Sequence, residues 1–218
     1  MYSGVSTLLY MAPLRGSLVF STYRRAYDLA PFESSVWKGM CGGLAAGSVI
    51  SMVACPFEII KCRMQVRTPE GSKHYNSIWQ CVKAIYSTRG VPGFFVGFYM
   101  TGLREIPGAG LFFAVYEYGN SKLKEKYGQI PWWGFSLSGA AGGLAFWGVF
   151  YPIDTVKTLA QITEPPSSPR VIWKMIMEKE GVLGFYKGVT STAVRTCISC
   201  ATGYFTYEHV RKALMSYD

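Results

Sequence analysis

Five long apolar segments dominate the pattern of the chain, at about 4–27, 36–66, 97–122, 132–161 and 188–213. No run alternates polar and apolar residues as a strand would, so the pattern predicts an all-α chain. A helix needs ~20 residues to cross the hydrocarbon of a bilayer, and each segment reaches that length, the longer ones with tilt. Pro56 and Pro152 fall in mid-course of the second and fourth segments and predict kinks there. Two shorter stretches differ. In 75–88, Ile78, Val82 and Ile85 recur at i, i+4 and i+7, with Gln80 and Lys83 off that face; in 170–180, Ile172, Met175 and Ile176 recur in the same way. Both predict amphipathic helices lying along a membrane surface. The turn-rich stretches 68–72 and 164–169 lead into them.

The pattern repeats. Pro56-Phe57-Glu58-Ile59-Ile60-Lys61 and Pro152-Ile153-Asp154-Thr155-Val156-Lys157 have prolines 96 residues apart (152 − 56), and each Lys is followed four residues later by Gln65 or Gln161. Gly43 and Gly47 align with Gly139 and Gly143 at the same offset. A second marker occurs as Tyr2-Ser3-Gly4, Phe95-Val96-Gly97 and Tyr186-Lys187-Gly188, with glycines 93 (97 − 4) and 91 (188 − 97) apart. Nineteen residues after each glycine stands Tyr23, Tyr116 or Tyr207. Three copies of this half-unit accompany two of the Pro-acid-Lys half-unit. The chain therefore reads as the second half of a first repeat over 1–30, followed by repeats over 31–127 and 128–218, in one membrane domain incomplete at its N-terminus.

Composition agrees. Half of the 218 residues are hydrophobic, 16% are charged and 24 are glycine, a balance that favours an integral membrane protein over a soluble domain. The N-terminus shows neither a basic region nor a cleavage site of a secretory signal. The net charge of +9 forms no continuous basic face, which excludes nucleic acid as the expected partner and favours anionic lipid. The six cysteines are scattered, and Cys197-Ile198-Ser199-Cys200, without a second pair or a nearby His, reads as helix packing rather than a redox or metal site. His74 and His209 lie far apart. No nucleotide loop, zincin motif, nucleophile elbow or dinucleotide fingerprint is present, so no enzyme activity, catalytic residue, metal or cofactor is expected.

The candidate chemistry lies in charges placed inside apolar segments. Glu58 with Lys61, and Asp154 with Lys157, are three apart and share nearly one helix face. Such pairs either satisfy themselves locally or pair between helices to close one end of a central cavity; their repetition beside a proline favours the gate. The G-x-x-x-G spacings predict close, slidable helix packing. Arg104-Glu105 and Arg195 each begin seven residues after a repeat glycine, about two turns into a span, where a charge marks a site more often than it snorkels. The first half-repeat has Met11 there and Arg15 one turn on, so the set is asymmetric, as an asymmetric solute needs. An Arg beside a Glu can hold the carboxylate and the cation of a zwitterion. Tyr186-Lys187-Gly188 opens a helix whose free N–H groups can hold a lipid phosphate, and serves equally as an interfacial anchor.

At these residues the chain resembles the mitochondrial carrier family, whose signature P-x-[D/E]-x-x-[K/R]-x-[K/R], closed by Gln, occurs three times per chain. Pro56 to Gln65 matches in full; Pro152 to Gln161 departs only at Leu159. The resemblance implies a bundle of tilted, Pro-kinked helices in ~100-residue repeats, with five spans here, multi-pass in the mitochondrial inner membrane, monomeric, and transporting a small solute by alternating access. It implies a matrix-side gate of Glu58, Lys61, Gln65, Asp154, Lys157 and Gln161 beside the kinks at Pro56 and Pro152. In that gate Glu58 pairs with Lys157 and the glutamines brace the pairs. It implies solute contact at Arg104, Glu105 and Arg195, and lipid, cardiolipin among the candidates, at Tyr186, Lys187 and Gly188. The cytoplasmic-side motif [F/Y]-[D/E]-x-x-[K/R] is matched by Tyr207, Glu208 and Arg211. Tyr116 and Glu117 begin it, but Asn120 stands where a base belongs, and Tyr23 to Tyr27 departs further, so a weak cytoplasmic gate is expected.

Without a first helix and first signature, Lys61 and Asp154 are expected to lack partners and this chain alone to transport poorly or not at all. Arg104-Glu105 followed by Pro107 resembles carriers of carnitine esters, basic amino acids and S-adenosylmethionine. Pro56 to Cys62 resembles carnitine/acylcarnitine carriers, and Phe146 to Pro152 the ornithine and carnitine branch. The expected solute is a zwitterionic metabolite, acylcarnitine/carnitine or a basic amino acid. The alternatives are S-adenosylmethionine and a truncated, non-transporting membrane protein.

Overall fold

The structure, a computed structural model, describes residues 5–65, 77–95, 98–131, 133–162 and 168–215, with side chains described over 13–61, 77–95, 98–131, 133–159 and 168–203. The apolar segments form five long helices: α1 (Val5–Leu29), α2 (Ser35–Gln65), α4 (Phe98–Tyr127), α5 (Gly134–Ile162) and α7 (Val189–Met215). Between them lie α3 (Ile78–Arg89), a short 3-10 helix (Val91–Phe95) and α6 (Pro169–Gly184), and no strand occurs among the described residues. Several boundaries are set by glycine. Gly90 closes α3 with φ +62, and Gly188 precedes α7 with φ +88, a left-handed conformation that a Cβ disfavours.

Pro13, Pro56, Pro107 and Pro152 lie inside α1, α2, α4 and α5, and each helix continues on both sides of its proline. Each proline lacks an N–H and frees the carbonyl four residues before it. Pro56 and Pro152 stand two residues before Glu58 and Asp154, and the carbonyl freed by Pro152, that of Gly148, accepts from the Tyr186 hydroxyl.

The long helices pack in the order α1, α2, α4, α5, α7, with α2 against α4 the most extensive pair. Small residues allow that approach. A Cβ on Gly43 would stand 2.4 Å from the Ala109 carbonyl oxygen, and one on Gly47 2.6 Å from that of Glu105. The helices are therefore close enough for charged side chains to reach across the seam.

The two amphipathic helices turn their apolar faces onto protein. Cys81 and Ile85 of α3 join Cys55, Ile59 and Ile60 of α2 in one buried cluster, with Ile78 and Val82 partly buried against it. Ile172 and Ile176 of α6 join Val156 of α5 and Phe185. Met175, expected on that face, is exposed instead, because a 3.6-residue period places it off the Ile172–Ile176 line. Trp79 and Tyr86 project outward from α3. Among the described residues, one stretch, Ser35–Lys61, is apolar and long enough by length and composition alone to cross a membrane.

Candidate functional site

At one level of the bundle α2, α4 and α5 bring three carboxylates and two cations into contact. Lys157 Nζ lies 2.5 Å from Glu58 Oε2 and donates to Thr101 Oγ1 at 2.8 Å. Thr101 in turn donates to Glu58 at 3.3 Å. Arg104 holds three acids at once: Nη1 lies 2.5 Å from Asp154 Oδ1, while Nη2 lies 2.6 Å from Glu105 Oε1 and 3.3 Å from Glu58 Oε1. Arg104, Glu105 and Lys157 are buried, and such charges persist in an apolar bundle only when paired on several sides. The planar guanidinium suits this, because its fork of donors reaches several carboxylates where an ammonium presents one point charge. Arg104 Nε remains buried without a partner.

The cluster continues into a cavity. Glu105 gives its second oxygen, Oε2, to Arg15 Nη2 of α1 at 3.1 Å. Both residues line a space of about 660 Å³ between the long helices. Phe112, Phe113, Phe146 and Trp147 supply apolar walls, and Tyr23, Arg24, Tyr116 and Glu117 line it towards the other end. There Tyr23 donates to Glu117 Oε1 at 2.7 Å while its ring stacks on Phe113 with centroids 3.9 Å apart. Arg24 is held on its own helix by Asp28, Nε to Oδ2 at 3.1 Å. The arrangement sets a cation, Arg15, beside an anion, Glu105, on the cavity wall, and joins Glu105 through Arg104 to Asp154 and Glu58.

The structure thus brings together Glu58, Asp154, Lys157, Arg104 and Glu105. Lys61 stands apart, with no ion pair among the described residues. Arg195 does not join Arg104 and Glu105; it is exposed and lines a separate depression on α7 with Ser191 and Ser199. Tyr116 and Glu117 line the cavity, and Asn120 is buried with its Oδ1 unpartnered. The side chains of Gln65, Gln161, Tyr207, Glu208 and Arg211 lie outside the described residues. Tyr186 donates to the Gly148 carbonyl at 3.0 Å, Lys187 pairs with Glu180 at 2.5 Å, and Gly188 faces the Tyr151 hydroxyl.

Arg15 was expected only as the neighbour, one turn on, of the Met11 position equivalent to Arg104 and Arg195, and Tyr23 only as the repeat tyrosine of a motif that departs from its pattern; Thr101 was not expected at a site. Thr101 carried no such signal, since a lone hydroxyl in a helix is ordinary.

Comparison with known proteins places these residues in a family. The sequence model described as "Mitochondrial carrier protein" matches residues 32–127 and 128–218. The chain is 32% identical to mitochondrial substrate carrier family protein S of Dictyostelium discoideum, over 98% of this chain and 79% of that protein. It is 28% identical to mitochondrial ornithine transporter 1 of Rattus norvegicus, over 99% of this chain and 77% of that protein. It is also 28% identical to a mitochondrial carnitine/acylcarnitine carrier-like protein of Arabidopsis thaliana, over 98% of this chain and 78% of that protein.

Proposed function

We propose, from the premise that the chain belongs to the mitochondrial carrier family, that its solute is a zwitterionic metabolite, either a basic amino acid or carnitine and its esters. Members of this family are transporters of the mitochondrial inner membrane. The observation that carries the solute reading is the position of Arg104. It is buried, it touches Glu105 on the cavity side, and it touches Asp154 and Glu58 on the other. A solute cation drawn to Glu105 weakens the hold of Glu105 on Arg104. That contact loosens the cluster, so occupancy and opening are linked, as alternating access requires. The names of the ornithine transporter and the carnitine/acylcarnitine carrier-like relative support this solute class. They give no support to S-adenosylmethionine.

In this reading Glu58, Asp154 and Lys157, with Lys61, Gln65 and Gln161, form the closure at one side of the membrane, and Pro56 and Pro152 bend their helices towards it. Tyr23 and Glu117 narrow the other end with Tyr116, and Tyr207, Glu208 and Arg211 belong to the same closure. The repeats at 31–127 and 128–218 correspond closely to the matched stretches. Five spans, α1, α2, α4, α5 and α7, cross the bilayer. Outward-facing Leu14, Met52, Leu103, Leu137, Val149 and Ile198 on these helices support that assignment, since lipid is the solvent such surfaces suit. Tyr186, Lys187 and Gly188 meet an anionic lipid head group, with Lys187 exchanging Glu180 for the phosphate. Thermal melting of the purified protein against a panel of zwitterionic metabolites tests the solute class. Stabilisation by a basic amino acid or a carnitine ester is expected; stabilisation by dicarboxylates or nucleotides alone would overturn it.

A further inference from the structure

We infer that Arg15 is the residue that receives the solute's carboxylate and thereby sets specificity for carboxylate-bearing solutes. The inference rests on the solute reading above and deepens it.

The cavity has two cations among its described lining residues, Arg15 and Arg24. Arg24 is exposed and spent on Asp28 of its own helix. Arg104 is nearly enclosed, its side chain 10% exposed and surrounded by three carboxylates. Arg195 is exposed on α7 and lines a different depression. Arg15 alone combines the needed properties. Its side chain is 47% exposed, it lines the cavity, and its one ion-pair contact among the described residues is Nη2 to Glu105 Oε2 at 3.1 Å. A guanidinium carries five N–H donors, so a single contact leaves capacity for a second carboxylate.

The partner of Arg15 makes the arrangement specific. Glu105 is 5% exposed and divides its two oxygens between Arg15 and Arg104. It is the acid that a solute's ammonium group would approach. A solute with adjacent carboxylate and amine groups therefore meets a cation and an anion already 3.1 Å apart, and inserts into an existing pair rather than separating isolated charges. A solute with the amine and no carboxylate meets the same Glu105 but leaves Arg15 with nothing gained. The discriminating contact is the one to Arg15.

The test compares pairs of compounds that differ by that one group: ornithine against putrescine, and carnitine against choline. Binding to the full chain is read by calorimetry and by thermal shift, for the wild type and for Arg15→Gln and Arg15→Lys. Arg15→Lys keeps the charge but not the fork, and guards against a simple folding defect. The wild type is expected to favour the carboxylated member of at least one pair by about tenfold or more, the size of a lost charge-assisted contact. Arg15→Gln should bring the two members within about twofold of each other by weakening only the carboxylated one, with Arg15→Lys between. A wild-type preference that survives intact in Arg15→Gln would overturn the inference and leave the solute reading standing. If no member of either pair binds the wild type, the solute reading falls and this inference falls with it.

Discussion

Arg104 donates to Asp154 across a sequence separation of 50, Nη1 to Oδ1 at 2.5 Å, and so joins α4 to α5. Asp154 has no other cation among the described residues, whereas Glu58 also has Lys157 and Glu105 also has Arg15. The three acids around one guanidinium are therefore not equivalent. Removing Arg104 leaves Asp154 as the uncompensated charge.

That inequality gives the first prediction. Arg104→Met should lower stability by about 3 kcal/mol, the usual scale for stranding one member of a buried ion pair. Adding Asp154→Asn should recover a substantial part of the loss, a coupling that a double-mutant cycle measures. Melting of the four proteins in detergent reads it. Equal losses with and without Asp154→Asn would show that Arg104 does not serve Asp154.

A second prediction concerns Glu58 and Lys157. The exchange Glu58→Lys with Lys157→Glu restores an opposite pair, yet it should recover little stability. Arg104 Nη2 lies 3.3 Å from Glu58 Oε1, so a lysine at 58 would face a guanidinium. Full recovery in the exchanged protein would mean that Arg104 contributes nothing to holding Glu58.

The glycines give a third. Gly43 and Gly139 occupy equivalent places at the offset of 96 (139 − 43), but their surroundings differ. A Cβ on Gly43 would meet the Ala109 carbonyl oxygen at 2.4 Å, whereas one on Gly139 meets nothing nearer than Cys200 Sγ at 3.9 Å. Gly43→Ala should cost roughly 1–3 kcal/mol through overpacking against backbone. Gly139→Ala should be neutral or slightly stabilising, because alanine is the better helix former. Thermal melts of the two variants should separate clearly; similar losses would argue against the close α2–α4 seam.

A fourth concerns the far end of the cavity. Tyr23→Phe keeps the stack on Phe113 and removes the hydroxyl that Glu117 accepts, so it should cost about 1–2 kcal/mol. Glu117→Gln, which still accepts from Tyr23, should cost less. The reverse order in chemical denaturation would place the importance of Glu117 in its charge.

Much of this was legible in the sequence, for identifiable reasons. The five long helices follow from apolar runs that no other element accommodates, and their observed ends lie within about five residues of the expected ones. The Glu58 and Lys157 contact was expected only from the resemblance to the mitochondrial carrier family; repetition at a fixed offset marked both residues without saying that they meet. What periodicity could not supply was rotation. Whether Arg104 turns towards Asp154, or Arg195 towards the cavity, depends on how each helix is set against its neighbours. Arg15 stands one turn beyond the repeat position at Met11, so repetition named it but could not give its contact with Glu105. The packing partner of the two short helices was not legible for a related reason: an apolar face at helical spacing does not say which surface it meets, and Cys81 and Ile85 meet Cys55 and Ile59.

The most direct measurement of the central claim, that Arg104 links a zwitterion site to the charge cluster, is the ligand-induced shift in melting temperature. It is read with ornithine and with a carnitine ester on three proteins: the wild type, Arg104→Met, and the Arg104→Met/Asp154→Asn double variant whose cluster is rebalanced. A ligand at about a hundred times its dissociation constant stabilises by roughly 2.7 kcal/mol, which is several degrees for a chain of this size. The account predicts that shift in the wild type with at least one of the two solutes, and its loss in both variants, including the double variant that has regained stability. An undiminished shift in the double variant would contradict it.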